Sequence, residues 1–516
     1  MTSQLYANYK LDLGGHSISA MAGFEGYSYS WENLGASRTN YTLNNFPYLD
    51  LGPADYQFNN GTAGHNAYQS LFSRLMYSFK GKYLLQANVR ADGSSRFSKD
   101  YRWGVFPSVS AGWVISEEPW FNVGPINYLK IRGSLGQLGN ERIGSEFPYQ
   151  AALNFGSGFI PNSSTGETDI VQTAYQADYA FKDITWETTT TYGAGLDLAM
   201  FRSRLHATFD AYYKKTEDML IAVGFPSYFG YNSPQGNNAD MFTKGWDLDL
   251  SWNDSIGDFR YGISFNISDY RSRMGYMADK QSISNNKLTE EGSFYQEWYG
   301  YQSKGIILNE EAMYNSDGTK IAVLTNNDKP GALAYVDQDG DGKITASQDR
   351  VKLGNSLPEY LYGGSINAGW KGFDFNLSFQ GVGHQLSYWS WGVTPFLYQA
   401  YSAPQVLLDS HWSPNATDEQ NSKAKYPYLT TNTTNIFAGS DFYLFNGAYM
   451  RIKDITLGYT VPSEISRKIR DNRFRIYASI NDLPAFSKYP KGYDPEWNKY
   501  SDFIMTSFIF GTNITF

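Results

Sequence analysis

The sequence predicts an all-β fold, an antiparallel transmembrane β-barrel. Three observations carry that expectation. Apolar and polar residues alternate with period two along segment after segment, as strands with one greasy and one wet face require. Aromatics reach 17%, with 42 Tyr, 33 Phe and 13 Trp, yet mean hydropathy is negative. The links between the segments are short and long in turn. Such sorting is typical of outer-membrane barrels, with short periplasmic turns and long external loops.

Taken in order, Tyr83, Leu85, Ala87 and Val89 oppose Gln86, Asn88 and Arg90. Leu205, Ala207, Phe209, Ala211 and Tyr213 oppose Arg204, His206, Thr208, Asp210 and Lys214. Trp246, Leu248, Leu250 and Trp252 oppose Asp247, Asp249 and Ser251, and Phe259 to Ile267 repeats the pattern against Arg260, Ser264, Asn266 and Ser268. Phe373 to Phe379, Phe474 to Ile480 and Ile504 to Phe516 continue it. Roughly fifteen segments of about nine to fifteen residues emerge, the length that crosses a bilayer at a tilt. A string of soluble sandwich domains would show strands of about five or six residues and interdomain linkers.

Short links are expected at Gly14-Gly15, Lys80-Gly81-Lys82, Phe201-Arg202-Ser203, Asn253 to Gly257 and Trp370-Lys371-Gly372, with medium links at 116–126 and 462–472 on the same side. Long stretches fall at 28–66, 138–186, 217–238, 272–357 and 387–446. If the long ones are external, Phe516 ends in the periplasm on the apolar face. Counting back about fifteen strands puts the first one's start outside, whereas single-chain bacterial barrels have even strand numbers. No secretory leader precedes the first strand pattern. The expectation is a C-terminal barrel portion, residues 1–516, of a longer protein whose early strands lie elsewhere.

The chain has no cysteine and a net charge of −9. Thiol chemistry and a disulfide framework are excluded, and the charge argues against a nucleic-acid partner. No apolar run is long enough for a membrane helix. The five histidines, His16, His65, His206, His384 and His411, show no metal-ligand spacing, and no nucleophile elbow, zinc-protease helix or phosphate loop is present. An enzyme is not expected. Glu117-Glu118 and Glu310-Glu311 read as solvated turns.

One motif is sharp. Asp337, Asp339 and Asp341, followed by Gly342, Lys343 and Ile344, spell the first half of an EF-hand-type loop. Carboxylates at spacing two converge on a hard cation, Lys343 offers its carbonyl, and Ile344 anchors the turn. The twelfth position is Gln348, with Asp349 one place later as the substitute ligand. The expected cofactor is calcium in a structural role, bracing the large external loop 272–357. Phe294, Tyr295, Trp298, Tyr299 and Tyr301 crowd that loop, while Tyr388, Trp389 and Trp391 crowd the loop at 387–446. Such rings stack on sugars or pack on peptides, and interfacial or loop-core packing is the commoner use. Trp298, Tyr299, Tyr301, Trp389 and Trp391 are the candidate ligand contacts.

Several longer stretches resemble one family. Residues 80–118 and 128–140 are similar to the signature barrel segment of SusC/RagA-type TonB-dependent transporters of Bacteroidetes. Residues 336–354, 358–385 and 449–462 and the Gly-Tyr-Asp-Pro-Glu of 492–496 complete the match in family order. The resemblance also covers the calcium-like loop with its extra residue. It implies a barrel of about 22 strands around an N-terminal plug with a TonB box, in the cell outer membrane, with Phe516 as the recognition signal for barrel insertion. It implies a SusD-like lipoprotein cap, oligosaccharide or peptide uptake, and energy from TonB through the missing N-terminal region. The alternatives are a non-transporting barrel that displays ligand-binding or adhesive loops, and a passive porin.

Overall fold

A computed structural model of the chain describes residues 1–516 apart from 44, 143–145, 162–167, 177–178, 223–227, 229, 232–234, 279, 326–327, 389–404, 409, 431–437, 463, 465–472, 491, 497–503 and 516. Fifteen strands follow one another as hydrogen-bonded neighbours in a single sheet, in chain order. They are β1 (Thr2–Leu13), β2 (His16–Arg38), β3 (Gln57–Phe79), β4 (Tyr83–Ser94), β5 (Trp103–Val114), β6 (Ile126–Asn140), β7 (Glu187–Met200), β8 (Leu205–Ala222) and β9 (Gln235–Ile256). After them come β10 (Phe259–Met274), β11 (Glu359–Trp370), β12 (Phe373–His384), β13 (Tyr449–Thr460), β14 (Arg473–Asn481) and β15 (Ser507–Thr515). No helix among the described residues is long and apolar enough to cross a membrane.

The chain divides into two compact units, residues 1–120, 130–194 and 213–241, and residues 121–129, 195–212 and 242–516. In the first, register converts period-two alternation into stripes. Leu75 pairs with Ala87, Ala87 with Val109, and Val109 with Leu135. Beside them Arg74, Asn88, Ser108 and Gly136 form the other parity, and Asn88 donates to the Ser108 hydroxyl at 3.0 Å. In the second unit the apolar stripe is Ile263, Ile366, Leu377, Ile455, Ile480 and Phe508. Its polar neighbour is Ser264, Ser365, Ser378, Asp454, Asn481 and Ser507. Side chains of one parity share a face, so each unit carries one apolar and one polar wall.

Turn chemistry fixes the tight hairpins. Gly14 and Gly15 both take positive φ, as do Lys371 and Gly372, the conformation that matches strand twist in two-residue loops. A Cβ on Gly372 would stand 2.7 Å from the Thr460 carbonyl oxygen, so this turn has no room for a side chain. One set of connections is 14–15, 80–82, 115–125, 201–204, 257–258, 371–372 and 461–472. The alternate set is 39–56, 95–102, 141–186, 223–234, 275–358, 385–448 and 482–506. The sorting holds in outline, although 95–102 is shorter than 115–125 and 461–472, and 223–234 only equals 461–472.

Two boundaries differ from expectation. The stretch 28–66 is largely strand, because β2 and β3 pair continuously out to Arg38 and Gln57. The turn expected from Asn253 lies at Gly257-Asp258, with β9 running to Ile256. In both places the backbone ladder continues through Gly- and Asn-rich sequence, since a paired hairpin satisfies its N–H and C=O groups whatever the side chains. Apart from the walls, cores of soluble type form in the connections. Phe97, Phe106, Ile184 and Trp186 make one in the first unit. Tyr301, Leu333, Tyr335, Ile344, Leu407, Tyr426 and Tyr443 make another in the second.

Candidate functional site

The connections of the second unit hold both expected sites. Residues 282–284, 287–289, 297–301 and 350–354 form a small four-stranded sheet, and 303–306 pairs with 333–335. The acidic turn leaves this framework just after Tyr335. Asp337, Asp339 and Asp341 each bring a carboxylate oxygen within 4.8 Å of the others. Backbone N–H groups hold them there. Gly340 and Gly342 donate to the two oxygens of Asp337 at 2.7 and 2.8 Å, and Lys343 donates to Asp341 at 2.8 Å. The Gly342 N–H, first among such donors, holds the Asp337 carboxyl below the ordinary carboxylate range. Ile344 is buried in the loop core.

Asp349 stands apart from those three carboxylates. It is fully buried, and its oxygens accept from the Gln338 and Thr345 N–H groups at 2.8 and 2.6 Å. It pins the two ends of the turn together with backbone bonds. Gln348, at the twelfth position, donates to Asp339 at 2.5 Å.

The aromatic candidates have different surroundings. Trp298 is buried, donates its indole N–H to the Leu386 carbonyl at 2.8 Å, and lies against Tyr388 at 5.4 Å between ring centroids. Tyr301 is 3% exposed, tilted against Tyr335 at 5.2 Å, with the Arg350 guanidinium 5.3 Å over its ring. Both are packing residues of the loop core and present no open face to a ligand. Tyr299 is half-buried. Trp389, Trp391 and Phe516 lie outside the described residues.

Sequence reasoning missed three polar clusters. On the polar wall of the first unit, Arg90 reaches Glu25 at 3.0 Å, Asp92 at 2.7 Å and the Ser70 hydroxyl at 2.7 Å, and Tyr68 donates to Glu25 at 3.0 Å. Arg451 in β13, 1% exposed, donates to Glu496 at 3.2 Å, to the Leu483 carbonyl at 3.0 Å and to Asp494. It ties the 482–506 connection to the wall. Glu118 is not a solvated turn residue. It accepts from the Tyr83 hydroxyl at 2.6 Å and the Trp113 indole at 3.0 Å, and the Tyr83 bond first of all lowers its pKa. The Arg451 and Glu118 clusters had a signal, since all their side-chain partners lie in motif stretches, whereas Glu25, Tyr68 and Ser70 of the Arg90 cluster lie outside them.

The fold has counterparts among known proteins. The family model for the β-barrel of TonB dependent receptor-like proteins matches residues 2–483. TonB-dependent receptor P39 of Formosa agariphila is 28% identical over 554 residues, covering 97% of this chain and 51% of that protein. TonB-dependent receptor SusC of Bacteroides thetaiotaomicron is 28% identical over 523 residues, covering 96% and 48%. Among solved structures, that of the RagAB peptide transporter matches with a TM-score of 0.78 at 21% identity, over 96% of this chain and 52% of that one. The chain thus spans about half the length of the relatives it matches. Family members are receptors and transporters of the outer membrane and not enzymes, and in barrels of that kind the apolar face of each strand is the one that meets lipid. The chain belongs to the TonB dependent receptor-like β-barrel family.

Proposed function

We propose that this chain supplies barrel wall and external connections to a SusC-like nutrient importer, which takes up oligosaccharides or peptides together with a SusD-like lipoprotein and is driven by TonB. The observation that carries this reading is the second unit's connections. They are large, they have their own packed cores, and they belong to the alternate set of links. A passive pore has no need of such a structured rim, whereas a receptor that hands cargo from a cap into a lumen does. The long connections face the outside in this reading. One structural neighbour, a peptide transporter, supports the peptide class, while the oligosaccharide class rests on the resemblance in sequence.

The acidic turn suits a structural calcium ion. Its three carboxylates and the Lys343 carbonyl are the donor set a hard cation takes. Asp349 serves instead as the brace that holds the turn closed. Uptake by intact cells tests the whole reading. Deleting the gene is expected to abolish accumulation of one class of labelled oligosaccharide or peptide, and depletion of TonB is expected to abolish it equally. Uptake that survives TonB depletion would sink the importer in favour of a porin.

A further inference from the structure

The apolar face of β10 changes character along its length. Phe259, Tyr261, Ile263, Phe265 and Ile267 share one parity, and Asp269, Arg271 and Arg273 continue it. The apolar run covers about nine residues, the span a tilted strand needs to cross the hydrocarbon. The charged residues therefore begin where the hydrocarbon ends, on the face that meets lipid, at the end of the strand that leads into the 275–358 connection.

A cleft of about 550 Å³ opens at this level. Phe209, Phe242 and Trp246 supply its apolar lining, and Lys244, Arg271 and Arg273 supply its cations. Asp269 is the single carboxylate in the lining. It is buried and reaches Arg271 at 3.4 Å, and Glu359 holds the same guanidinium at 3.2 Å. Arg273 donates to the Gly292 carbonyl and lies over the Phe294 ring, which fixes its direction without neutralising it. Lys244 is exposed and makes no ion pair among the described residues. A chain of net charge −9 thus gathers three cations against two carboxylates, both of them on Arg271, which leaves Lys244 and Arg273 as the unneutralised pair beside an aromatic floor at the membrane boundary.

We propose that this cleft binds the phosphate-bearing headgroup of an outer-leaflet glycolipid. Acyl chains would lie along Phe209 and Trp246, and the phosphate would sit among Lys244, Arg271 and Arg273, at the level of Phe242. A peptide partner would need paired backbone or a deeper pocket, whereas a lipid matches both the apolar floor and its charged upper edge. The outer-leaflet assignment rests on the proposed outward direction of the long connections.

Native mass spectrometry of the intact transporter in detergent tests this with monophosphoryl lipid A, dephosphorylated lipid A and phosphatidylglycerol as probes. Monophosphoryl lipid A is expected to be retained in preference to the other two. Lys244→Gln and Arg273→Gln should each weaken it about five-fold, while Lys423→Gln, remote from the cleft, leaves it unchanged. Equal retention of the dephosphorylated form, preference for phosphatidylglycerol, or no loss in either cleft variant would overturn the proposal. The chain has no cysteine, so Asp317→Cys can be labelled on whole cells with an impermeant maleimide. Labelling without phosphate discrimination removes the lipid site alone. Absence of labelling removes the orientation on which the function rests.

Discussion

Arg451 shows how much one residue can organise. Its guanidinium is buried, and donors on three of its nitrogens serve two carboxylates and a carbonyl. Taking the cation away leaves Asp494 and Glu496 close together without a counter-charge. Arg451→Met should cost about 3 kcal/mol, read as a lower urea midpoint and faster hydrogen exchange across 483–496. Arg451→Lys should be intermediate, because a single ammonium cannot span the fork. Unchanged exchange in the Met variant would show the tether to be dispensable. Residues at this scale were only partly legible. Sequence marks Trp298 and Tyr301 as clustered rings but does not say what covers them. Leu386, Tyr388 and Tyr335, 34 to 90 residues away, do that. Glu118 likewise looks exposed until Tyr83, on the neighbouring hairpin, is brought against it.

At the scale of elements, strand existence and order were legible because the period is two and the turns are marked by glycine. The far ends of β2 and β3 were not, since their side chains become polar while the ladder continues. The small sheets inside 275–358 were also hidden, being three to five residues long and held by partners distant in sequence. The acidic turn belongs to this scale, because calcium would act on a segment rather than on one residue. Calcium is expected to slow hydrogen exchange across 336–349 about ten-fold, and chelation to reverse it. Asp341→Asn should remove that response while leaving the calcium-free turn intact, since one side-chain oxygen suffices to accept from the Lys343 N–H. Asp349→Ala should loosen the turn with or without the ion, since both of its oxygens hold backbone N–H groups. A turn indifferent to calcium in the unaltered protein would rule out the metal.

For the whole molecule, the two stripes of the second unit define which wall meets lipid. Ile366 and Ser365 are adjacent in sequence and lie on opposite faces. Ile366→Lys should cost about 2 to 4 kcal/mol near mid-membrane, and Ser365→Lys should cost little. Folding titrations in lipid vesicles would measure both, and equal costs would contradict the assignment of faces. The family was legible here because its motifs span both units, and the cargo was not, because the residues that would choose it come together only in space. The β2–β3 hairpin adds a mechanical consequence. It is a ladder of 23 residues on each side, of which about ten suffice to cross the bilayer. The remainder is bonded backbone outside the hydrocarbon, and bending it in the plane of the ribbon would shear its pairs. Stiff in that plane, such a ladder would act as a lever arm with its fulcrum at the membrane surface. A sideways load on the tip at 39–56 becomes a torque on the feet of the wall strands, and contact made far from the membrane is felt at its boundary.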